Sequence, residues 1–342
     1  MFKFVTFAAM AASAFAAPAV DPRMVEAINS MSTTWTAHVP ERFANATIDD
    51  VTVMLGTILP HEDGYWGELP EKDMEAADDI PTAFDVREAW PDCADVSGHI
   101  RDQSACGSCW AFGSTEALND RMCIATGDKT LLSPTDTVAC CGMLQCMSMG
   151  CNGGQPSAAW SWFTKTGVVS GGDEVDVGSG STCEPYPFAA CAHHVDPSPE
   201  YPACPDDDYS TPKCVKSCTE EGYGTAYADD KRMAKDSYSL RTVEKIQTDI
   251  MTYGTATCAF SVYEDFVGYE SGVYQHESGS YLGGHAVAII GWGEQEETDG
   301  SSTPYWIVKN SWNPTWGDGG TFKILRGSNE CGIESQVSAG TV

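Results

Sequence analysis

The apolar positions of this chain switch from helical to strand spacing between its first and second halves. Met24, Ile28 and Met31 recur four and three residues apart, the spacing of one helix face. Thr47-Ile48-Asp49-Asp50 opens a second short helix in the manner of a capping box, with Asp where Glu is usual. Residues 108 to about 125 read as a longer helix. Further on, residues 257–262, 285–292, 305–308 and 321–325 read as strands. The pattern predicts an α+β chain, helix-rich first and strand-rich second.

Composition adds a compartment. Lys3 precedes an apolar run from Phe4 to Phe15, and Ala14-Phe15-Ala16 offers a small-residue cleavage site, so residues 1–16 read as a secretory signal peptide. The run is too short to span a bilayer, and no later stretch reads as a span. An exported chain with 15 cysteines is expected to form disulfides, and the odd count leaves at least one thiol free. The formal charge of −30 argues against nucleic acid and anionic membranes as partners. It serves solubility, or else tolerance of acid, where protonated carboxylates relieve self-repulsion. At 342 residues the chain is long enough for one large or two modest domains. Residues 17–79 carry no cysteine and many acids, and alone read as a flexible arm with an exposed stretch from Glu71 to Asp79. Asn45-Ala46-Thr47 within it is a glycosylation acceptor triplet, a pattern common by chance.

Candidate chemistry centres on Gln103-Ser104-Ala105-Cys106-Gly107-Ser108-Cys109-Trp110-Ala111-Phe112. Cys109 sits at the start of the longer helix, where unpaired N–H groups and the helix dipole favour thiolate over thiol. His285 follows a glycine pair and begins an apolar strand. Asn310 ends another strand, ahead of Ser311 and Trp312. Singly, such a His is more often structural and such an Asn more often a turn residue. A thiol, an imidazole and an amide in this order, with Gln103 upstream, suit nucleophilic acyl transfer.

Cys-Gly-Ser-Cys-Trp, Gly-His-Ala and Asn-Ser-Trp together resemble the papain-like cysteine peptidases. The resemblance implies a papain-like two-domain fold, with a helical left domain, a twisted antiparallel β-barrel-like right domain and the active-site cleft between them. It implies Cys109 as nucleophile, His285 as base in a thiolate–imidazolium pair, and Asn310 orienting the imidazole. The Gln103 side chain and the Cys109 N–H would form the oxyanion hole. Gly153, Gly154, Trp312, Ala259, Ala286 and Gln336 would line the substrate site, the two glycines offering bare backbone to an extended peptide. Residues 80–342 would be the catalytic domain and 17–79 an inhibitory propeptide, with 32–37 and 55–57 similar to the short prosegment of the cathepsin B branch.

His285 follows Cys109 by 176 residues, more than the roughly 130–150 that the papain pattern allows. The excess resembles the occluding loop of the cathepsin B branch, at about 183–218. There His193 and His194 would hold a substrate's C-terminal carboxylate for dipeptide removal, best when protonated in mild acid. Half a zinc site is the weaker reading, because the nearby cysteines are needed for bridges. The same branch implies the pairs Cys93–Cys123, Cys106–Cys151, Cys140–Cys214, Cys141–Cys146, Cys183–Cys218 and Cys191–Cys204, with the state of Cys258 and Cys331 open. Two departures stand out. Asp102 and His193 keep one ion pair that pins the loop, but no Arg lies between Cys191 and Cys204, and Thr315 replaces the Asp of the second pair. A looser loop and more internal cleavage are expected. Gln336 replaces a Glu at the floor of the pocket for the second residue before the cut, which is expected to shift preference from Arg toward Phe, Val or Leu.

The expected partners are peptide or protein substrates, the chain's own propeptide and cystatin-like inhibitors. No cofactor or metal is expected, and the destination is the secretory pathway, in a lysosome or vacuole or outside the cell. A thiol–disulfide exchanger built on Cys106-Gly107-Ser108-Cys109 and a catalytically dead binding homologue are the competing classes.

Overall fold

The structure, a computed structural model, describes residues 17–63, 65, 67–189, 199 and 209–342. The signal peptide expected at 1–16 lies outside the described residues, as do Cys191, His193, His194 and Cys204. In chain order the arm holds α1 (Pro22–Ser30), β1 (Trp35–Ala37) and α2 (Ile48–Thr52). Then come β2 (Phe84–Asp85), α3 (Val86–Ala89), α4 (Ala94–Ser97), α5 (Cys109–Thr126), α6 (Pro134–Cys140), α7 (Met143–Cys146) and α8 (Pro156–Lys165). The second half holds β3 (Tyr238–Leu240), α9 (Val243–Tyr253), β4 (Ala256–Tyr263), β5 (Tyr269–Tyr274), β6 (Tyr281–Glu296), β7 (Ser302–Lys309), β8 (Thr321–Leu325) and β9 (Val337–Ala339).

Helix α5 lies between two apolar cores. Every residue from Cys109 to Arg121 is buried, the charged Glu116, Asp120 and Arg121 included, so the helix is enclosed on all sides. Trp110 and Leu118 join Trp160, Phe163 and Val138 in the helical lobe. Gly113 gives the other side its close approach, since a Cβ there would lie 3.1 Å from the Val287 backbone on β6. Gly127, at φ 76°, ends the helix and donates its N–H to the Cys123 carbonyl at 2.7 Å.

The sheet runs β1-β5-β8-β7-β6-β4-β9-β3, with β2 adding to β6. All pairings are antiparallel except β5 with β8. The expected barrel-like domain needs correction here, because the sheet is not closed. Its edge strands β1 and β3 are three residues each, and β1 belongs to the arm, so neither edge has the length to bond round to the other. Strand β6 is buried on both faces from Gly284 to Gly293, between α5 and an aromatic core that includes Phe260, Phe266, Trp312 and Phe322. Gln103 N–H bonds the Ser311 carbonyl at 2.9 Å and Asn313 N–H bonds that of Arg101 at 3.1 Å, which stitches the lead into α5 to the end of β7.

Residues 17–54 are not a flexible arm. Ile28, Trp35, Ala37, Phe43, Val51 and Met54 are buried in the core of the sheet lobe. Trp35 and Ala37 point inward and Thr36 outward as β1 pairs with β5. The capping box at Thr47 forms in both directions, Thr47 N–H to Asp50 Oδ2 at 2.7 Å and Asp50 N–H to Thr47 Oγ1 at 3.4 Å. The α1 face is shorter than its spacing suggested, because the chain turns extended at Met31, which stays 46% exposed.

Five of the disulfides implied by the resemblance are formed: Cys93–Cys123, Cys106–Cys151, Cys140–Cys214, Cys141–Cys146 and Cys183–Cys218. Cys109, Cys258 and Cys331 are free. Among the described residues no helix is long and apolar enough to cross a membrane.

Candidate active site

Cys109 is the first residue of α5, His285 lies near the start of β6 and Asn310 follows the last residue of β7. All three are fully buried. The Asn310 Oδ1 atom lies 2.8 Å from His285 Nε2 and also 2.8 Å from the Ser311 N–H. A backbone N–H only donates, so that atom is the amide oxygen, and His285 Nε2 must carry a proton to reach it. A neutral ring therefore holds an unprotonated Nδ1, and that atom has no hydrogen-bond partner. Trp312 covers the ring, with centroids 4.8 Å apart and planes 32° from parallel.

Gln103 is fixed as firmly. Its Oε1 accepts from Ser311 Oγ at 2.8 Å, and its Nε2 donates to the Cys106 carbonyl and to the Met54 carbonyl, each at 2.8 Å. Tyr186 Oη donates to the Gln103 carbonyl at 2.7 Å. Ser311 thus ties the Gln103 amide to the Asn310 amide, and neither Ser311 nor Tyr186 was singled out from sequence. The cue for Ser311 was its adjacency to Asn310; Tyr186 comes from a distant loop and left none.

The arm runs through the cleft beside these groups. Gly154 N–H donates to the Gly56 carbonyl at 2.8 Å, and Ile58 N–H to the Gly154 carbonyl at 3.2 Å. On the opposite wall Thr57 N–H donates to the Gly284 carbonyl at 3.0 Å. Thr57 Oγ1 sits 3.1 Å from Cys109 Sγ. Gly56 has no room for a side chain, since a Cβ would lie 1.8 Å from the Gly107 carbonyl oxygen.

Burial under this segment sets the charge of the pair. It pushes the Cys109 thiol above its ordinary pKa, against weaker pulls from Thr57 and from the Ala286, Gly56 and Trp110 backbone. It pulls His285 down to about 4, partly offset by the Asn310 bond. Both shifts have the same cause and the same sense: burial under the segment disfavours the charged form of each group.

A family model described as "Papain family cysteine protease" matches residues 80–341. The chain belongs to the papain family of cysteine proteases. It is 44% identical over 329 residues to "Cathepsin B-like cysteine proteinase 5" of Caenorhabditis elegans, covering 93% of this chain and 89% of that relative. It is 43% identical over 312 residues to the "Cathepsin B-like cysteine proteinase" of Schistosoma japonicum, covering 90% and 86%. Among solved structures, "proCathepsin B S9 from Trypanosoma congolense" matches with a TM-score of 0.75 at 30% identity, over 95% of this chain and 99% of that one. The chain is thus a cathepsin B-like cysteine peptidase.

For such a peptidase the Cys-x-x-Cys reading as a redox pair falls away, because Cys106 is bridged to Cys151. Of the expected substrate-site residues, Gly154 meets the arm directly, while Gly153, at φ 118°, uses its carbonyl on the Met149 N–H at 2.7 Å. Ala259 and Ala286 are cross-strand partners on β4 and β6, 1% and 0% exposed. Gln336 lines a pocket with Pro156, Ser157, Arg241 and Val337, which arm residues Tyr65, Glu68 and Leu69 cover. Asp102, expected to hold His193, which lies outside the described residues, accepts from Arg42 Nη1 at 2.5 Å, from Asn313 Nδ2 at 3.1 Å and from the Ser104 N–H at 2.7 Å. Thr315 bonds Asn313 Oδ1 through its hydroxyl at 2.5 Å.

Proposed function

We propose that this chain is the secreted zymogen of a cathepsin B-like peptidase, with residues 1–16 as signal peptide, 17–79 as inhibitory propeptide and 80–342 as the enzyme. The observation that carries it is Thr57 against the Cys109 sulfur, with the Met54 carbonyl on the Gln103 amide: the arm stands where a substrate would have to stand. Once it leaves, water lowers the cost of charge, and the proton moves from the Cys109 sulfur to His285 Nδ1. The thiolate attacks the scissile carbonyl. Gln103 Nε2 and the Cys109 N–H hold the oxyanion, a contribution of about 10²–10³ in rate per donor. The imidazolium, oriented by Asn310, passes its proton to the leaving amine, and water then hydrolyses the thioester. Processing in an acidic vesicle and release from the cell both suit this chemistry.

Dipeptide removal by His193 and His194 is the second activity we infer, in addition to internal cleavage. The missing Arg and the Thr at 315 favour a loosely held loop. The uncut chain is expected to resist labelling by a thiol-directed epoxide, and the chain cut after about residue 79 to be labelled and to hydrolyse peptides. Cys109→Ser should abolish both. Equal labelling before and after the cut would refute the zymogen reading.

A further inference from the structure

The pocket around Gln336 holds a cation that no sequence motif marked. Arg241 follows β3 and lines the same pocket as Gln336 and Pro156. Its Nη2 lies 2.8 Å from the Glu68 carboxylate of the arm. Tyr65 of the arm shares the site, near enough to feel both charges. With the arm in place the pocket keeps a cavity of about 30 Å³. The Gln336 Nε2 is buried with no hydrogen-bond partner. Glu334, the nearest acid along the chain, is not available to the pocket. Its carboxylate accepts from Trp306 Nε1 at 2.9 Å and from the Gly327 and Asn329 N–H groups at 2.6 and 2.9 Å. Among the described residues that line it, the pocket therefore keeps a donor amide and a guanidinium of its own, while its carboxylate, Glu68, is brought by the arm. In a chain with 19 Lys and Arg against 49 Asp and Glu, a guanidinium at a pocket mouth is not background.

We infer that Arg241 is a specificity-determining residue: with Gln336 it makes this pocket accept a substrate side chain with an apolar stem and an oxygen-bearing tip, Glu or Gln, and repel Arg and Lys. The inference rests on the reading that the Gln336 pocket takes the second residue before the cut. A Glu side chain there reproduces the Glu68–Arg241 contact and offers the Gln336 amide its missing acceptor. An Arg side chain places two guanidinium groups together and leaves the amide unpaired. Arg241 is 38% exposed and Glu68 59%, so the discrimination is moderate and weakens in salt.

The test uses the full chain, activated by removal of the arm, on fluorogenic peptides that differ only in carrying Glu, Gln, Leu or Arg at the second position. The readout is the ratio of kcat/KM values, so that a general loss of activity cancels. Wild type is expected to prefer Glu to Arg by about tenfold or more at low salt, and Arg241→Glu to reverse that ratio by a similar factor, with Arg241→Ala between. Gln336→Glu is the control for the pocket itself and should raise the use of Arg. If Gln336→Glu shifts the Glu-to-Arg ratio but both Arg241 variants leave it unmoved, the inference about Arg241 is overturned and the pocket reading stands. If none of the three moves second-position preference, the pocket reading fails and takes the inference with it.

Discussion

Residues 17–54 and 55–79 of the arm lie on the same enzyme body but are held in different ways. The first stretch buries Ile28, Trp35, Phe43 and Val51 in the core of the sheet lobe, with Phe43 edge-on to Trp312 at 5.7 Å. The second buries little of its own. It is held by backbone bonds to Gly154 and Gly284 and by ion pairs from Lys72 to Asp249, Glu68 to Arg241 and Glu71 to Lys245. Apolar burial scales with area and is indifferent to direction and pH, whereas hydrogen bonds and the more exposed pairs of Glu68 and Glu71 fix position but add little net stability, and the largely buried Lys72–Asp249 pair must offset its own desolvation. The comparison teaches a division of labour: the first stretch keeps the arm on the body, and the second decides whether the sulfur is covered.

The strongest way to break that comparison is Trp35→Ala. Removing a 2%-exposed indole from the shared core is expected to cost about 3–5 kcal/mol, read as a lower denaturation midpoint of the uncut chain. Gly56→Ala is the complementary change. Its Cβ meets the Gly107 carbonyl, so the crossing segment must lift, at about 1–3 kcal/mol confined to the cleft. Labelling of Cys109 in the uncut chain should rise by about 5- to 150-fold while the midpoint moves much less. A midpoint shift as large as that of Trp35→Ala would show the two stretches to be one cooperative unit.

The smallest expected effect is on pH. The Lys245 hydrogen bond, aided by its charge, holds the Glu71 carboxyl below its ordinary value of 4.5. A carboxyl depressed by a partner contributes stability above its ordinary pKa and loses it as pH falls through the depressed one. The grip of the second stretch should therefore loosen in acid below about 4.5, and Glu71→Gln should remove that part of the dependence. The ratio of labelling rates for the two uncut chains, followed across pH, checks it; a ratio that stays flat through this window would assign the acid response elsewhere. Cys109 and His285 should contribute little, because the proton transfer proposed between them on uncovering takes none from solvent.

Local chemistry made much of this readable in advance. The α5 start at Cys109 lies within a residue of its expected place, and β8 runs from Thr321 to Leu325 as its pattern predicted. The Thr47–Asp50 capping box needed only neighbours in sequence. How the arm is held was not legible, because Trp35 and Phe43 are a few scattered apolar residues until β5 and Trp312 are placed against them. Lys309 drew no reading from sequence, yet it is 1% exposed and lies 3.3 Å from Asp120 on α5.

Sequence by itself determined the chemical kind of this protein. A thiol before a helix, an imidazole opening a strand and an amide closing another carry their reactivity in residue type and local conformation, which near neighbours set. Tertiary structure alone decided the open sheet, the tautomer at His285, the burial of Cys109 and His285 under the arm and the meeting of Arg241 with Gln336. Those depend on which distant surfaces touch and how much water they exclude, and neither quantity is written in any short stretch of the chain.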